Sequence, residues 1–167
     1  MTPPHPDTKR LSVGCAVITV SDTRTLETDR SGQIVQQLLT EAGHAIAFYT
    51  ILKDEPVLIQ AMLEELSLRS DVSAVIMNGG TGIAPRDTTY DAIEQLLEKT
   101  LPGFGEVFRW LSYQEIGSRA IASRATAGTF RGKLVFSLPG SSNAVTLATQ
   151  KLILPELPHL VKQISGS

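Results

Sequence analysis

SAVIMNGGTGIAPRDTTYDAIEQLL, residues 73–97, contains three elements in succession. Residues 73–77 are apolar enough for a buried strand ending at Met77. Asn78-Gly79-Gly80-Thr81-Gly82 has too little side chain to be packed core and reads as a turn. Arg86 and Asp87 then stand at the mouth of a helix, whose apolar residues Ala92, Ile93, Leu96 and Leu97 recur at helical spacing. A strand, a glycine turn and a helix N-terminus together suit a phosphate. Glycines let the backbone come close, its N–H groups point inward, and the helix dipole favours negative charge. A phosphate-bearing ligand is therefore expected here, with Asp87 beside it.

On either side of this stretch, strands and helices alternate. Residues 11–20, LSVGCAVITV, are almost continuously apolar, as in a strand covered on both faces. Ile34, Val35, Leu38 and Leu39 mark an amphipathic helix that Gly43 stops. A second strand is expected over 44–52. A helix follows with Pro56 in its first turn and Ile59, Met62, Leu63 and Leu66 on one face. Strand–helix alternation at this spacing predicts right-handed crossovers. The fold class is accordingly α/β: a three-layer α/β/α sandwich around a mainly parallel sheet.

From Leu101 the texture changes. Phe104, Phe108, Trp110 and Tyr113 crowd together, as core or as a contact between subunits. Two short apolar runs ending near Phe130 and Ser137, separated by Arg131-Gly132-Lys133, suggest a hairpin or a pair of sheet strands. Pro139-Gly140 breaks the second, and Ser141 or Ser142 caps a helix expected to stop at Leu154, before Pro155. A last short helix is expected over 156–164.

With 167 residues and 42% hydrophobic content, the chain is long enough for a real core. One folded domain over residues 11–167, behind a flexible tail of residues 1–10, is the expected organisation. No apolar run approaches a membrane span. The proline-rich start is no secretory signal, so a cytoplasmic protein is expected. A net charge of −2 with interspersed signs gives no basic stripe for nucleic acid. The single cysteine, Cys15, excludes an internal disulfide and a cysteine-rich metal site.

In an open α/β sheet, ligands bind beyond the carboxyl ends of the strands. Four turns follow strands: Val20-Ser21-Asp22, Leu52-Lys53-Asp54, residues 77–82, and Leu138-Pro139-Gly140-Ser141-Ser142. Parallel strands would place all four on one rim, with three carboxylates, Asp22, Asp54 and Asp87. Phosphate oxygens plus a few carboxylates are a usual setting for Mg²⁺. Each candidate also has a purely structural role open to it. Asp54 and Asp87 would serve as helix caps, Asp22 as a turn residue, Gly79, Gly80 and Gly82 as a tight turn, and Arg86 as a solvated charge. NGGTGIAPRD lacks the Lys-Ser/Thr of a P-loop, and Pro85 breaks the dinucleotide fingerprint.

Taken together, NGGTGIAPRDTTYDA, LPGFGEVFRWLSYQEIG and LPGSSNAV resemble the MoaB/Mog family of molybdenum cofactor biosynthesis proteins, from about Val17 to Leu160. The order of ITVSD, the KDE turn, GGTG…RD, PGFGEVFR and LPGSS makes the resemblance specific. It implies trimers or hexamers, molybdopterin as ligand, and transfer of AMP from Mg-ATP to the terminal phosphate of molybdopterin. Asp54 and Asp87 match the family's two acidic positions thought essential for the transfer, and Mg²⁺ is expected on Asp87 together with Asp54. Gly79, Gly80, Thr81 and Gly82 match its phosphate-contacting segment, with Asn78 in the place many members give to threonine. Pro139, Gly140, Ser141 and Ser142 match a second ligand-facing turn, and Ser21 and Asp22 the turn after the first strand. Arg86 is the expected source of positive charge. A non-catalytic molybdopterin-binding or carrier protein is the alternative, and other enzymes of the pathway are implied as partners.

Overall fold

The computed structural model describes residues 11–166; the tail expected over residues 1–10 lies outside the described residues. Strands β1 (Gly14–Val20), β2 (Ala45–Leu52), β3 (Ala74–Asn78), β4 (Lys99–Thr100), β5 (Thr126–Phe130) and β6 (Lys133–Leu138) form one sheet. Their order is β2-β1-β3-β6-β5-β4. β1 runs parallel to β2 and β3, and β3 parallel to β6, while β5 is antiparallel to both β6 and β4. The four parallel strands therefore end on one rim, as expected.

Six helices, α1 (Arg30–Glu41), α2 (Pro56–Ser67), α3 (Thr89–Leu96), α4 (Pro102–Ile116), α5 (Ser142–Ala148) and α6 (Leu154–Ser165), cover the sheet. Side chains of β1 alternate between the two faces. Cys15 and Val17 pack with Val35, Leu39, Phe108, Phe136, Val145 and Leu157, which come from α1, α4, β6, α5 and α6. Ala16, Ile18 and Val20 pack with Ile59, Leu63, Leu66 and Ile93, from α2 and α3. Both faces of the central strands are dry, which is why they read as continuous apolar runs. The three-layer α/β/α sandwich is the observed fold.

Several details depart from expectation. The first strand begins at Gly14 rather than at residue 11, and the Val13 N–H is taken by His44 Nδ1 at 3.1 Å. Burial holds the His44 pKa below its ordinary value. The two apolar runs near Phe130 and Ser137 are an antiparallel hairpin, turned at Arg131 (φ 44°) and Gly132 (φ 80°). β4 has only two residues and left no mark in the apolar pattern.

The C-terminal helices do not separate before Pro155. α5 passes through a π-helical turn, Thr149–Ile153, directly into α6. In a regular α-turn the Pro155 ring would press on the carbonyl four residues earlier. The wider turn accommodates the Pro155 ring, which offers no N–H to the carbonyls before it. The aromatic stretch divides as well. Phe108 is buried and Phe104 packs on Phe136 at 5.2 Å between centroids, whereas Trp110 and Tyr113 are 60% and 62% exposed. Among the described residues no helix is long and apolar enough to cross a membrane.

Candidate functional site

At the rim, β3 runs into the glycine turn. Gly79 and Gly80 have φ of 100° and 68°, in the left-handed region that side chains disfavour. A Cβ on Gly79 would stand 2.2 Å from the Val20 carbonyl oxygen, and one on Gly80 2.1 Å from Thr89 Oγ1 and 2.6 Å from Asp54 Oδ2. Only glycine fits either position. The Gly80 carbonyl accepts the N–H of Thr89 at the start of α3. Among the described residues, no protein acceptor takes the N–H groups of Gly80, Thr81 or Gly82.

Arg124 fixes the outer side of this turn. Its guanidinium donates to the carbonyls of Thr81 (2.9 Å) and Gly82 (2.8 Å), pairs with Asp91 (3.0 Å) and lies 4.5 Å from the centre of the Tyr90 ring. A trans peptide points its N–H opposite to its carbonyl. The N–H groups of Gly82 and Ile83 therefore face away from Arg124. The Arg124 hydrogen bond holds the Asp91 carboxyl below the usual carboxylate range.

Asp54 and Asp87 reach the same turn with different commitments. Asp54 is 5% exposed, and its Oδ1 accepts from Thr88 Oγ1 (2.6 Å), Thr89 Oγ1 (3.0 Å) and Thr88 N (3.2 Å). Thr88 and Thr89 form the mouth of α3, so Asp54 serves as that helix's cap from another loop. Asp87 stands beside the turn, and a Cβ on Gly82 would lie 2.6 Å from its Oδ2. Among the described residues no hydrogen-bond donor takes the Asp87 carboxylate. It is the acidic side chain of this rim open to a ligand.

Asp22 and Arg86 join the rim's loops together. Arg86 donates to both Asp22 oxygens (2.8 and 2.9 Å) and to Glu55 (3.0 Å), while Asp22 Oδ1 accepts the Asp54 N–H. The Arg86 hydrogen bond first, and the Asp54 N–H second, hold the Asp22 carboxyl below its ordinary range. The expected positive charge of Arg86 thus faces two carboxylates.

Arg24, which the sequence reading did not single out, stands in the cleft. Ser21 Oγ accepts the N–H groups of Thr23 (3.2 Å) and Arg24 (3.0 Å) and turns the chain there. The Arg24 side chain donates to Ser31 Oγ and to the Gly140 carbonyl (3.0 Å), and lies 3.5 Å from Asp29. Asp29 is fully buried, caps α1 through the Gly32 N–H (3.1 Å) and accepts from the Tyr49 hydroxyl. Burial first, and Asp29 second, raise the Tyr49 pKa. Asp29 before a helix is recognisable as a cap in the sequence, but its pairing with Arg24 depends on the intervening turn.

Asn78 does not face the cleft as expected. Its amide is fully buried, accepting from Ser31 Oγ (2.8 Å) and donating to Thr19 Oγ1 (3.1 Å). At the turn after β6, Ser141 rather than Ser142 is the cap, accepting the Ala144 N–H at 3.2 Å. Pro139 is half-buried, and a Cβ on Gly140 would stand 3.2 Å from Gly79 Cα, so the two turns touch.

Two clefts result. One of about 380 Å³ is lined by Ser21, Arg24, Gly79, Gly80, Thr81 and Gly140, the other, of about 490 Å³, by Pro56, Gln60, Ile83, Asp91, Gln95 and Arg124. Gly82 and Asp87 line both. Among the described residues no cluster of three or more His, Cys, Asp or Glu side chains is arranged to hold a metal by itself. One open carboxylate beside unpaired backbone N–H groups fits a divalent cation that arrives with a phosphate, whose oxygens complete the shell.

Comparison with known proteins agrees with this architecture. Residues 16–159 match the family model described as "Probable molybdopterin binding domain". The chain is 58% identical over 153 residues to molybdenum cofactor biosynthesis protein B of Bacillus subtilis, covering 91% of this chain and 90% of the relative. A crystal structure of a molybdenum cofactor biosynthesis protein B superposes with a TM-score of 0.92 at 50% identity, over 95% of this chain and 99% of that one. The tungsten cofactor synthesizing protein MoaB from Pyrococcus furiosus gives 0.81 at 38% identity, over 92% and 97%. The chain belongs to the MoaB/Mog family of molybdenum cofactor biosynthesis proteins.

Proposed function

We propose that this protein binds molybdopterin and transfers AMP from Mg-ATP to its terminal phosphate. The chief support is the open carboxylate of Asp87 at the wall common to both clefts, beside the unpaired N–H groups of Gly80, Thr81 and Gly82. In the proposed reaction a molybdopterin phosphate oxygen attacks the α-phosphorus of ATP, a phosphoanhydride is made, and pyrophosphate leaves. Two phosphate groups brought together repel, so alignment and charge stabilisation are the main tasks. Mg²⁺ carried in with ATP would supply part of that charge, and Asp87, whose carboxylate lines both clefts, would hold it. The glycine N–H groups would bind a phosphate oxygen. Asp54 acts by holding the mouth of α3, and with it the segment that carries Asp87. No base is required, because the attacking phosphate is already ionised at neutral pH.

The test is to supply molybdopterin and Mg-ATP and to measure adenylylated molybdopterin and pyrophosphate, expected in equal amounts. Tight pterin binding with no ATP consumed would establish the carrier alternative instead, which the structural commitment of Asp54 favours. The exposed stripe of α4, Val107, Trp110 and Tyr113, is proposed as the contact between copies in a trimer or hexamer.

A further inference from the structure

We propose that Arg24, rather than Arg86, is the cation that grips the phosphate in the smaller cleft, an assignment that rests on reading this cleft as a phosphate site. Arg24 lines that cleft together with the glycine turn. Arg86 is not among the described residues that line either cleft.

The charge around the two side chains differs. Arg86 is bound by both oxygens of Asp22 and by Glu55, so an anion arriving there meets a net negative group. Arg24 faces one carboxylate, Asp29, at the longer distance of 3.5 Å. Asp29 also accepts from Gly32 N and the Tyr49 hydroxyl, and it is fully buried, out of the ligand's reach.

Hydrogen-bonding capacity points the same way. A guanidinium has about five N–H donors in a rigid plane. Arg24 spends two, on Ser31 Oγ and the Gly140 carbonyl. Its Nε–H has no acceptor among the described residues. Those two bonds also tie the loop after β1 to the turn after β6, so the guanidinium is held in place before a ligand arrives. A planar, pre-oriented fork suits a phosphate, which accepts two parallel bonds.

The experiment is a calorimetric titration of inorganic pyrophosphate, at fixed ionic strength, into the wild type and the variants R24Q, R24K and R86Q. Thermal unfolding checks that each variant is folded. R24Q should weaken binding by about tenfold or more, since it removes a bidentate, charge-assisted contact. R24K should recover only part, because one ammonium cannot keep Ser31, Gly140 and the anion together. R86Q should cost less than about threefold, as expected for a screened rim charge. An R24Q loss no larger than that of R86Q overturns the assignment, as does a wild type that binds no pyrophosphate. If R24Q fails to fold with Asp29 unpaired, R24Q/D29N neutralises the pair and is titrated instead. AMP transfer is assayed separately. Arg24-dependent binding without transfer defeats the proposed function and leaves Arg24 in place; transfer undiminished in R24Q does the reverse.

Discussion

Replacing Asp54 by asparagine preserves its shape and removes its charge. In the native protein Oδ1 accepts from the Thr88 hydroxyl at 2.6 Å, the Thr89 hydroxyl at 3.0 Å and the Thr88 N–H at 3.2 Å. The amide oxygen of the replacement would keep these contacts as neutral ones, while its NH₂ would face the Thr88 N–H that Oδ2 now accepts at 3.3 Å. Hydrogen bonds to an ionised acceptor contribute about 1.5–3 kcal/mol and neutral ones about 0.5–1.5. Two weakened hydroxyl bonds, set against the easier burial of a neutral group, give a loss of about 1–3 kcal/mol. For a domain of this size that lowers Tm by roughly 2–12 °C. Calorimetric unfolding and the urea midpoint, with AMP transfer measured on the same sample, are the assay. If Asp54→Asn unfolds like the wild type and loses only activity, Asp54 is not the cap described here. Its carboxylate would then act on the ligand.

Asp87→Asn should show the opposite behaviour. With no donor on its carboxylate among the described residues, its stability should change by less than about 0.5 kcal/mol, while transfer slows at least ~100-fold, or about 3 kcal/mol; full turnover would remove Asp87 from the reaction. Stability should also fall in mild acid through His44. Neutral His44 accepts the Val13 N–H, and burial holds its folded pKa below the unfolded value of about 6.5. The unfolded chain therefore takes up the proton first, so this contribution is complete above about pH 7 and declines as pH falls through about 6.5 towards the folded value. Urea midpoints between about pH 7.5 and 5.5 measure it, and His44→Gln should flatten the profile; an unchanged slope would place the effect elsewhere. Trp110→Glu, on the exposed stripe of α4, should lower the mass seen by light scattering, whereas an unaltered assembly would move the subunit contact to another face.

Most elements and their order were legible in the residues, because a helix or a buried strand is written in local periodicity; α4, in the aromatic stretch where no helix was expected, and the two-residue β4 were not. Gly79 and Gly80 were legible for a similar reason: only glycine takes their backbone angles, so the turn declares itself. Sheet order was not legible. β1 lies between β2 and β3, and β6 joins β3 rather than following β5 in line, through pairings between residues far apart in the chain. Roles within the site followed the same division. Asp54 in a loop looks the same in sequence whether it meets a ligand or, as here, threonines 34 and 35 positions away. The charge of Arg86 is visible in the sequence, but its two carboxylate partners come from other loops. Arg24 carries no local signal at all, since its bond to Gly140 spans 116 residues and exists only because parallel strands end side by side. Backbone conformation is set largely by neighbours in sequence. Which charges meet is set by strand order, and that only the packed sheet decides.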